Sequence, residues 1–299
     1  MAIDLKELLK TAMSLKRVAM RSRFRVNMPK LTKPNVPCVV FGNGPSLDGD
    51  IRDKLDVIQK LDTFCVGRFP ESDLYRIVRP KYYVIADPMW WSSAAPDKTI
   101  LIRKRLFDRM ISDTSWPLLV CVPFEAKEFL NEIFSNSQNI SLLFYNNVPL
   151  WGRESVLNML FDRNLGMPPA HTVLVTALFL ALRIGYKKIF LLGADHSWHE
   201  TLALDDENRV CIKDVHFYDK NVGLQPFSMD GSDERIFTMD TLFQVLGKMF
   251  EGHRRVADYA KNLKVEIINA SSVTYIDAYR RKNISAILTD LSKSLLSGC

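Results

Sequence analysis

Short apolar runs and segments with helical spacing alternate along most of this chain. Residues 38–41 (CVVF) form a four-residue apolar run that breaks into Gly42-Asn43-Gly44-Pro45-Ser46, the pattern of a buried strand entering a tight turn. Residues 48–61 place Ile51, Leu55, Ile58 and Leu61 on one helical face, and 63–66 (TFCV) read as a second strand ending in Gly67-Arg68-Phe69-Pro70. A third strand, 80–86, closes on Asp87-Pro88. A helix at 97–112, a strand at 116–122, a helix at 124–134 and a strand at 140–145 follow. Residues 172–184 (TVLVTALFLALRI) are apolar on nearly every side, which predicts a buried helix stopped by Gly185. Residues 188–192 are then a central strand finishing in Gly193-Ala194-Asp195-His196. A long amphipathic helix at 238–262 precedes a last strand, 265–269, that runs into Ala270-Ser271-Ser272. Strands alternating with helices predict an α/β fold: a Rossmann-like, mostly parallel sheet with helices on both faces, whose ligand sits outside the carboxyl ends of the strands.

The remaining segments read as additions to that sheet. Residues 3–20 are a basic amphipathic helix, and Pro29, Pro34 and Pro37 make a stiff linker. Residues 1–34 are thus an arm, 35–275 a Rossmann-like domain and 276–299 a helical tail that packs beside the arm. The turn-rich stretch 146–170 reads as a mobile loop or small subdomain. The aromatic-bearing insertion at about 198–236 has the character of a lid.

Composition adds limits. With 299 residues, 47% hydrophobic and 25% charged, the chain is an ordinary globular protein. Its five cysteines show no paired or zinc-binding spacing, so they read as reduced thiols of a cytoplasmic protein. Residues 1–33 hold nine Lys or Arg against Asp4 and Glu7, while the whole chain carries only +6; the body is therefore close to neutral. A nucleic-acid binder would spread its basic footprint over the folded domain, so nucleic acid is excluded as a partner. No run reaches the roughly 18 to 20 apolar residues of a membrane span, and residues 1–30 suit instead the anionic inner face of the cytoplasmic membrane, as a peripheral anchor.

Candidate chemistry gathers at strand ends. Gly42 and Gly44 lack the Cβ atoms that would hold a phosphate away from backbone N–H groups, and Ser46 can cap the following helix; an ordinary strand-to-helix turn is the plainer reading. Asp87 can hold a ribose hydroxyl or simply start the turn before Pro88. Trp90 and Trp91 can stack on a ligand or only pack. Asp195 can orient His196 to take a proton from a hydroxyl, and His216 offers a second imidazole. Asp48-Gly49-Asp50 begins a helix and reads as structural, leaving no metal signature.

Phe41 to Leu47, Phe64 to Phe69, Ala86-Asp87-Pro88, 185–195 (GYKKIFLLGAD) and Glu266 to Ser272 together resemble, in order, the strand-end motifs of the bacterial family 42 sialyltransferases, which move sialic acid from a CMP-activated donor. That resemblance implies an inverting, metal-independent glycosyltransferase of the GT-A-like type. Its donor site would be built from Gly42, Asn43, Gly44, Pro45, Ser46, Gly67, Arg68, Asp87, Thr172, Gly193, Ala270, Ser271 and Ser272, and lid groups such as Tyr218 would neutralise the departing phosphate. Its substrates would be a nucleotide sugar, CMP-linked in the family, and a glycan or lipid-linked acceptor of bacterial surface polysaccharide; no further cofactor is implied, and a homo-oligomer stays open. The chain departs from the family at Gly67 and Asp87, where the family has asparagine, and at Val173-Leu174, where it has Ser-Gly. No histidine precedes the helix at 238, where the family keeps its base, so the base is either His196 or His216. Two other classes remain: phosphoryl transfer resembling the pterin-pyrophosphokinase-like proteins that share the Gly-Asn-Gly-Pro-Ser turn, with Asp87 and Asp195 facing Mg²⁺, and a non-catalytic nucleotide-binding membrane adaptor.

Overall fold

The computed structural model describes residues 4–31, 36–213, 216–218, 223–229 and 235–287. The chain opens with α1 (Leu5–Arg21) and enters the sheet at β1 (Cys38–Phe41). Helices α2 (Leu47–Ile51) and α3 (Leu55–Ile58) lead to β2 (Asp62–Val66), and α4 (Leu74–Val78) leads to β3 (Tyr82–Val84). The 17-residue α5 (Asp97–Asp113) connects to β4 (Leu118–Pro123), and α6 (Lys127–Phe134) to β5 (Ile140–Tyr145). After α7 (Glu154–Asp162) and α8 (Val173–Ile184) the chain returns to the middle of the sheet as β6 (Lys188–Leu192). A small antiparallel set, β7 (Ala203–Leu204), β8 (Val210–Ile212) and β9 (Gln225–Pro226), precedes α9 (Met239–Asn262), β10 (Glu266–Asn269) and β11 (Arg280–Arg281).

The main sheet has eight strands in the order β11-β10-β6-β1-β2-β3-β4-β5, and every neighbouring pair is parallel. The expected Rossmann-like α/β architecture is therefore what the chain adopts. Period-two alternation divides the strand side chains between two cores. Cys38, Val40, Phe64 and Val66 pack with α8 and α9 on one face, whereas Val39, Phe41 and Cys65 pack with α2, α4, α5 and α6 on the other. Helix α8 is buried along nearly its whole length and stops at Gly185, whose φ of +109° is the left-handed conformation that closes a helix cheaply only at glycine. No helix among the described residues is long and apolar enough to cross a membrane.

Three expectations change. The continuous helix expected at 48–61 is broken into α2, a 3₁₀ turn at Arg52–Lys54 and α3, because Gly49 and the aspartates at 48, 50, 53 and 56 are weak helix formers. The stretch 146–170 is no mobile loop: it contains α7, and Leu150, Leu157, Leu160, Phe161 and Met167 are buried in the first core. Its backbone is tied across itself, Leu150 N–H donating to Met167 O and Met167 N–H to Val148 O. The described part of the tail, 276–287, is built into the sheet and its two cores. Ile276 and Tyr279 pack in the first core, Arg280–Arg281 join the sheet edge as β11, and Ile284 and Ile287 pack in the second core. The rest of the tail (288–299), residues 32–35 of the linker and 214–215, 219–222 and 230–234 of the lid lie outside the described residues.

Candidate active site

Strands β1 and β6 lie side by side, yet the chain leaves β1 toward β2 and leaves β6 toward β10. This is the switch point of an open parallel sheet, where loops diverge and leave a crevice. A cavity of about 400 Å³ opens there, a volume that suits a small organic ligand. Its walls are the β1 turn from Gly42 to Pro45, Val66 and Gly67 at the tip of β2, Thr172 to Leu174 at the start of α8, and Gly193 with Asp195 to Trp198 after β6. Glu200, Thr201, Lys213 and His216 complete it from the lid.

Four N–H groups of the Gly-rich turn are taken up within the protein. Gly42 N–H donates to Leu192 O at 2.7 Å, Gly44 N–H to Gly193 O at 2.8 Å and Leu47 N–H to Gly44 O at 3.1 Å. Ser46 donates through both its N–H and its hydroxyl to the Asp195 carboxylate, at 3.0 and 2.6 Å. Its hydroxyl is thereby committed to Asp195, and it makes no side-chain cap on α2. The glycines are needed for close approach by protein: a Cβ on Gly42 would stand 2.3 Å from Gly193 O, and one on Gly44 2.3 Å from Asp195 Oδ1. Asn43 Nδ2 clamps the tip of β2 by donating to Val66 O at 3.0 Å, and Asn43 O accepts from Phe217 N–H at 3.2 Å, tying the lid to the turn.

Asp195 therefore belongs to the turn and does not orient His196. Burial raises its carboxyl above the ordinary range, and the Ser46 donors counter that rise. The partner of His196 is another imidazole. His196 adopts φ +53° after β6, and its Nε2 lies 3.0 Å from Nε2 of His253 on α9. Nδ1 of His253 lies 3.0 Å from the Tyr279 hydroxyl. Burial keeps the Tyr279 phenol protonated and holds both imidazoles neutral, well below the ordinary histidine range. The tautomers follow: among the described residues the phenol has His253 Nδ1 as its acceptor, so His253 Nε2–H donates to His196 Nε2, and His196 carries its own proton on Nδ1. Nε2 of His196 is thus engaged by His253, and burial opposes the ring's taking up a proton.

Across the cavity the 12-residue α8 presents its N-terminus. Thr172 caps it by accepting from Leu174 N–H at 3.4 Å, and Val175 N–H donates to Thr172 O. Val173 N–H has no acceptor among the described residues. The partial positive charge of the helix end suits an anion, and Lys213 lines the same cavity from the lid, as does Glu200.

The other expected site residues lie elsewhere. Asp87 caps the 3₁₀ turn Pro88–Trp90 by accepting from Met89 N–H at 2.9 Å and does not line the cavity, so Asp87 and Asp195 do not face one another as a magnesium pair. Trp90 is buried against Phe107. Arg68 pairs with Glu71 and covers the Tyr218 ring at 5.5 Å, both at the side of the lid. Ser271 Oγ accepts from Ala194 N–H at 3.0 Å, and Ala270, Ser271 and Ser272 line a separate cavity with Asp50 and Arg281. They support the β6 turn from behind instead of edging the same ligand. His216 does reach the cavity, stacked on Tyr218 with centroids 5.1 Å apart and ring planes 6° apart.

No family model and no curated protein matches this chain. Among solved structures it is similar to the MAf glycosyltransferase from Magnetospirillum magneticum AMB-1, with 13% identity and a TM-score of 0.48, over 97% of this chain and 42% of that one. A fainter likeness, 13% identity and a TM-score of 0.20, joins it to the terminal R domain from the myxalamid PKS-NRPS biosynthetic pathway, over 87% of this chain and 55% of that one. The chain thus spans less than half of the first protein and little over half of the second. Similarities this remote assign no activity, and the chemistry rests on the site itself.

His253 carried a signal in the sequence, since it falls on the apolar stripe of its helix between Met249 and Val256, where a histidine must find a buried partner. The pair also dictates an acid response. In the unfolded chain both imidazoles bind protons below about pH 6.5, but the folded chain holds them neutral to lower pH, so stability is full above that value and is lost as pH falls through it. Each contributes a slope approaching about 1.4 kcal/mol per pH unit. Urea unfolding at steps from pH 7 to pH 5 is expected to show this decline and a shallower one in His253→Gln; parallel curves would refute it.

Proposed function

We propose that the switch-point cavity binds a nucleotide-activated sugar and that the protein transfers the glycosyl group to an acceptor hydroxyl. One observation carries this reading: a position-locked imidazole, a second imidazole and the start of a helix line one cavity of small-ligand size. The α8 terminus and Lys213 suit the phosphate of the donor. His216 takes the proton of the acceptor hydroxyl as its oxygen attacks the sugar carbon, and the bond from that carbon to the phosphate oxygen breaks with its electron pair going to the nucleotide. His196 is the poorer base, because burial opposes its gaining charge, and it serves as a hydrogen-bond donor. The donor identity that the family resemblance implies, CMP-linked and sialic-acid-like, is part of the proposal, as is an acceptor on a glycan or lipid carrier.

Thermal unfolding against CMP, UDP, GDP and ADP compounds tests the binding half. At least one is expected to raise the midpoint, since a ligand at 100 times its Kd stabilises the folded state by about 2.7 kcal/mol. Lys213→Ala is expected to weaken that ligand about tenfold, the loss of one charge-assisted contact. No shift with any nucleotide, or one indifferent to residue 213, would remove the reading.

A further inference from the structure

We propose that the outward face of α1 is a docking surface for an anionic lipid bilayer. The helix is mounted with its polar side inward. Its buried residues are Thr11, Ser14 and Val18, 7%, 1% and 5% exposed, and the first two are held by hydrogen bonds. Ser14 Oγ donates to Trp151 O at 2.6 Å and accepts from Trp151 N–H at 2.8 Å, and Arg153 N–H donates to Thr11 Oγ1 at 2.8 Å. Gly152 lets the helix sit this close, since a Cβ there would stand 2.2 Å from Thr11 Oγ1. The docking is therefore specific and needs no apolar contact from the rest of the helix.

What it leaves outside is the apolar side. Leu5, Leu9, Met13 and Met20 recur at helical spacing on the arc opposite the docked stripe and are 79%, 62%, 50% and 73% exposed. A surface helix normally turns such a face to the core, and a contiguous exposed one marks an interaction surface. The charge beside it selects the occupant. Lys6, Lys10, Arg17 and Arg21 run along one flank and Lys16 lies within the arc, while Glu7 is the one carboxylate within the helix. A second copy of so basic a helix would be repelled, whereas anionic headgroups complement it. Leucine and methionine would enter the acyl boundary as the lysine stems reach up to the phosphates.

Cosedimentation of the full chain with vesicles decides the matter, and it needs no enzymatic activity. Binding to vesicles of phosphatidylcholine and phosphatidylglycerol is expected, at least tenfold weaker on phosphatidylcholine alone and weaker in high salt. Lys6→Gln with Lys10→Gln is expected to lower affinity about 25-fold, roughly fivefold per charge. Leu9→Ser with Met13→Ser, both at exposed positions, is expected to abolish binding with the circular dichroism spectrum and unfolding midpoint unchanged. Equal binding to neutral vesicles, or binding unaffected by either double variant, overturns the proposal. So does an absence of vesicle binding, and if the leucine–methionine variant then abolishes self-association, the face belongs to a second copy. Because nucleotide binding is measured separately, this surface and the proposed transferase site stand or fall independently.

Discussion

Replacing His216 with alanine is expected to lower the rate of glycosyl transfer by about 10²–10⁴-fold, the usual contribution of a positioned general base, while the affinity for the nucleotide donor changes less than twofold. The expectation follows from the division of labour between the imidazoles. His196 is fixed by His253 and Tyr279 with its proton already placed, whereas His216 enters the cavity from the lid, half-buried and stacked on Tyr218. Single-turnover transfer with bound donor, compared for the wild-type chain and His216→Ala, reads the chemical step directly. A variant that keeps its rate would move the base elsewhere. One that loses donor affinity in proportion to rate would make His216 a binding residue.

Gly42→Ala is expected to destabilise the fold by about 3 kcal/mol, the upper part of the usual overpacking range. Its new methyl would lie 2.3 Å from Gly193 O, 2.9 Å from the attached carbon and 3.2 Å from Ala194 Cα. All three are backbone atoms of the neighbouring strand end and have no rotamer by which to yield. Gly49→Ala, where nothing lies within 4 Å of the added carbon, is the matched control, and inside α2 it is expected to be neutral or stabilising by up to about 1 kcal/mol. Denaturant midpoints for the two variants should therefore move in different directions or by clearly different amounts. Equal midpoints would mean that the two loops can part without loss.

The sheet was legible in the sequence because its signals are local. The apolar runs at 38–41, 140–145 and 188–192 coincide with β1, β5 and β6, and the apolar stretch from 173 with its glycine stop is α8. The site was legible only in outline. A glycine that admits a phosphate and one that admits a carbonyl leave the same mark in a sequence, so the Gly42 turn is visible there while its close approach to Gly193 is not. The deciding partner, Asp195, is 149 residues from Ser46. A separation of 57 residues likewise hides the link between His196 and His253, and the adjacency of Asp195 to His196 suggests a pair that the left-handed backbone at His196 does not make. Asp87 and Ser272 are ambiguous in the sequence because small polar residues after strands serve both as ligand groups and as structural ties, and here Asp87 caps a turn while Ser272 N–H donates to Asp50.

The Gly42–Leu47 turn commits the N–H groups of Gly42, Gly44, Ser46 and Leu47 within the protein, and this sets how the cavity meets a ligand. A wall whose backbone is pinned in this way has little to rearrange on contact, so its conformational entropy was lost during folding and does not weaken each binding event. Discrimination between ligands then falls to the opposite wall, the start of α8 and the lid side chains. Exchanges at Val173, Leu174 or Lys213 should accordingly retune which molecule is accepted, on a platform that stays still.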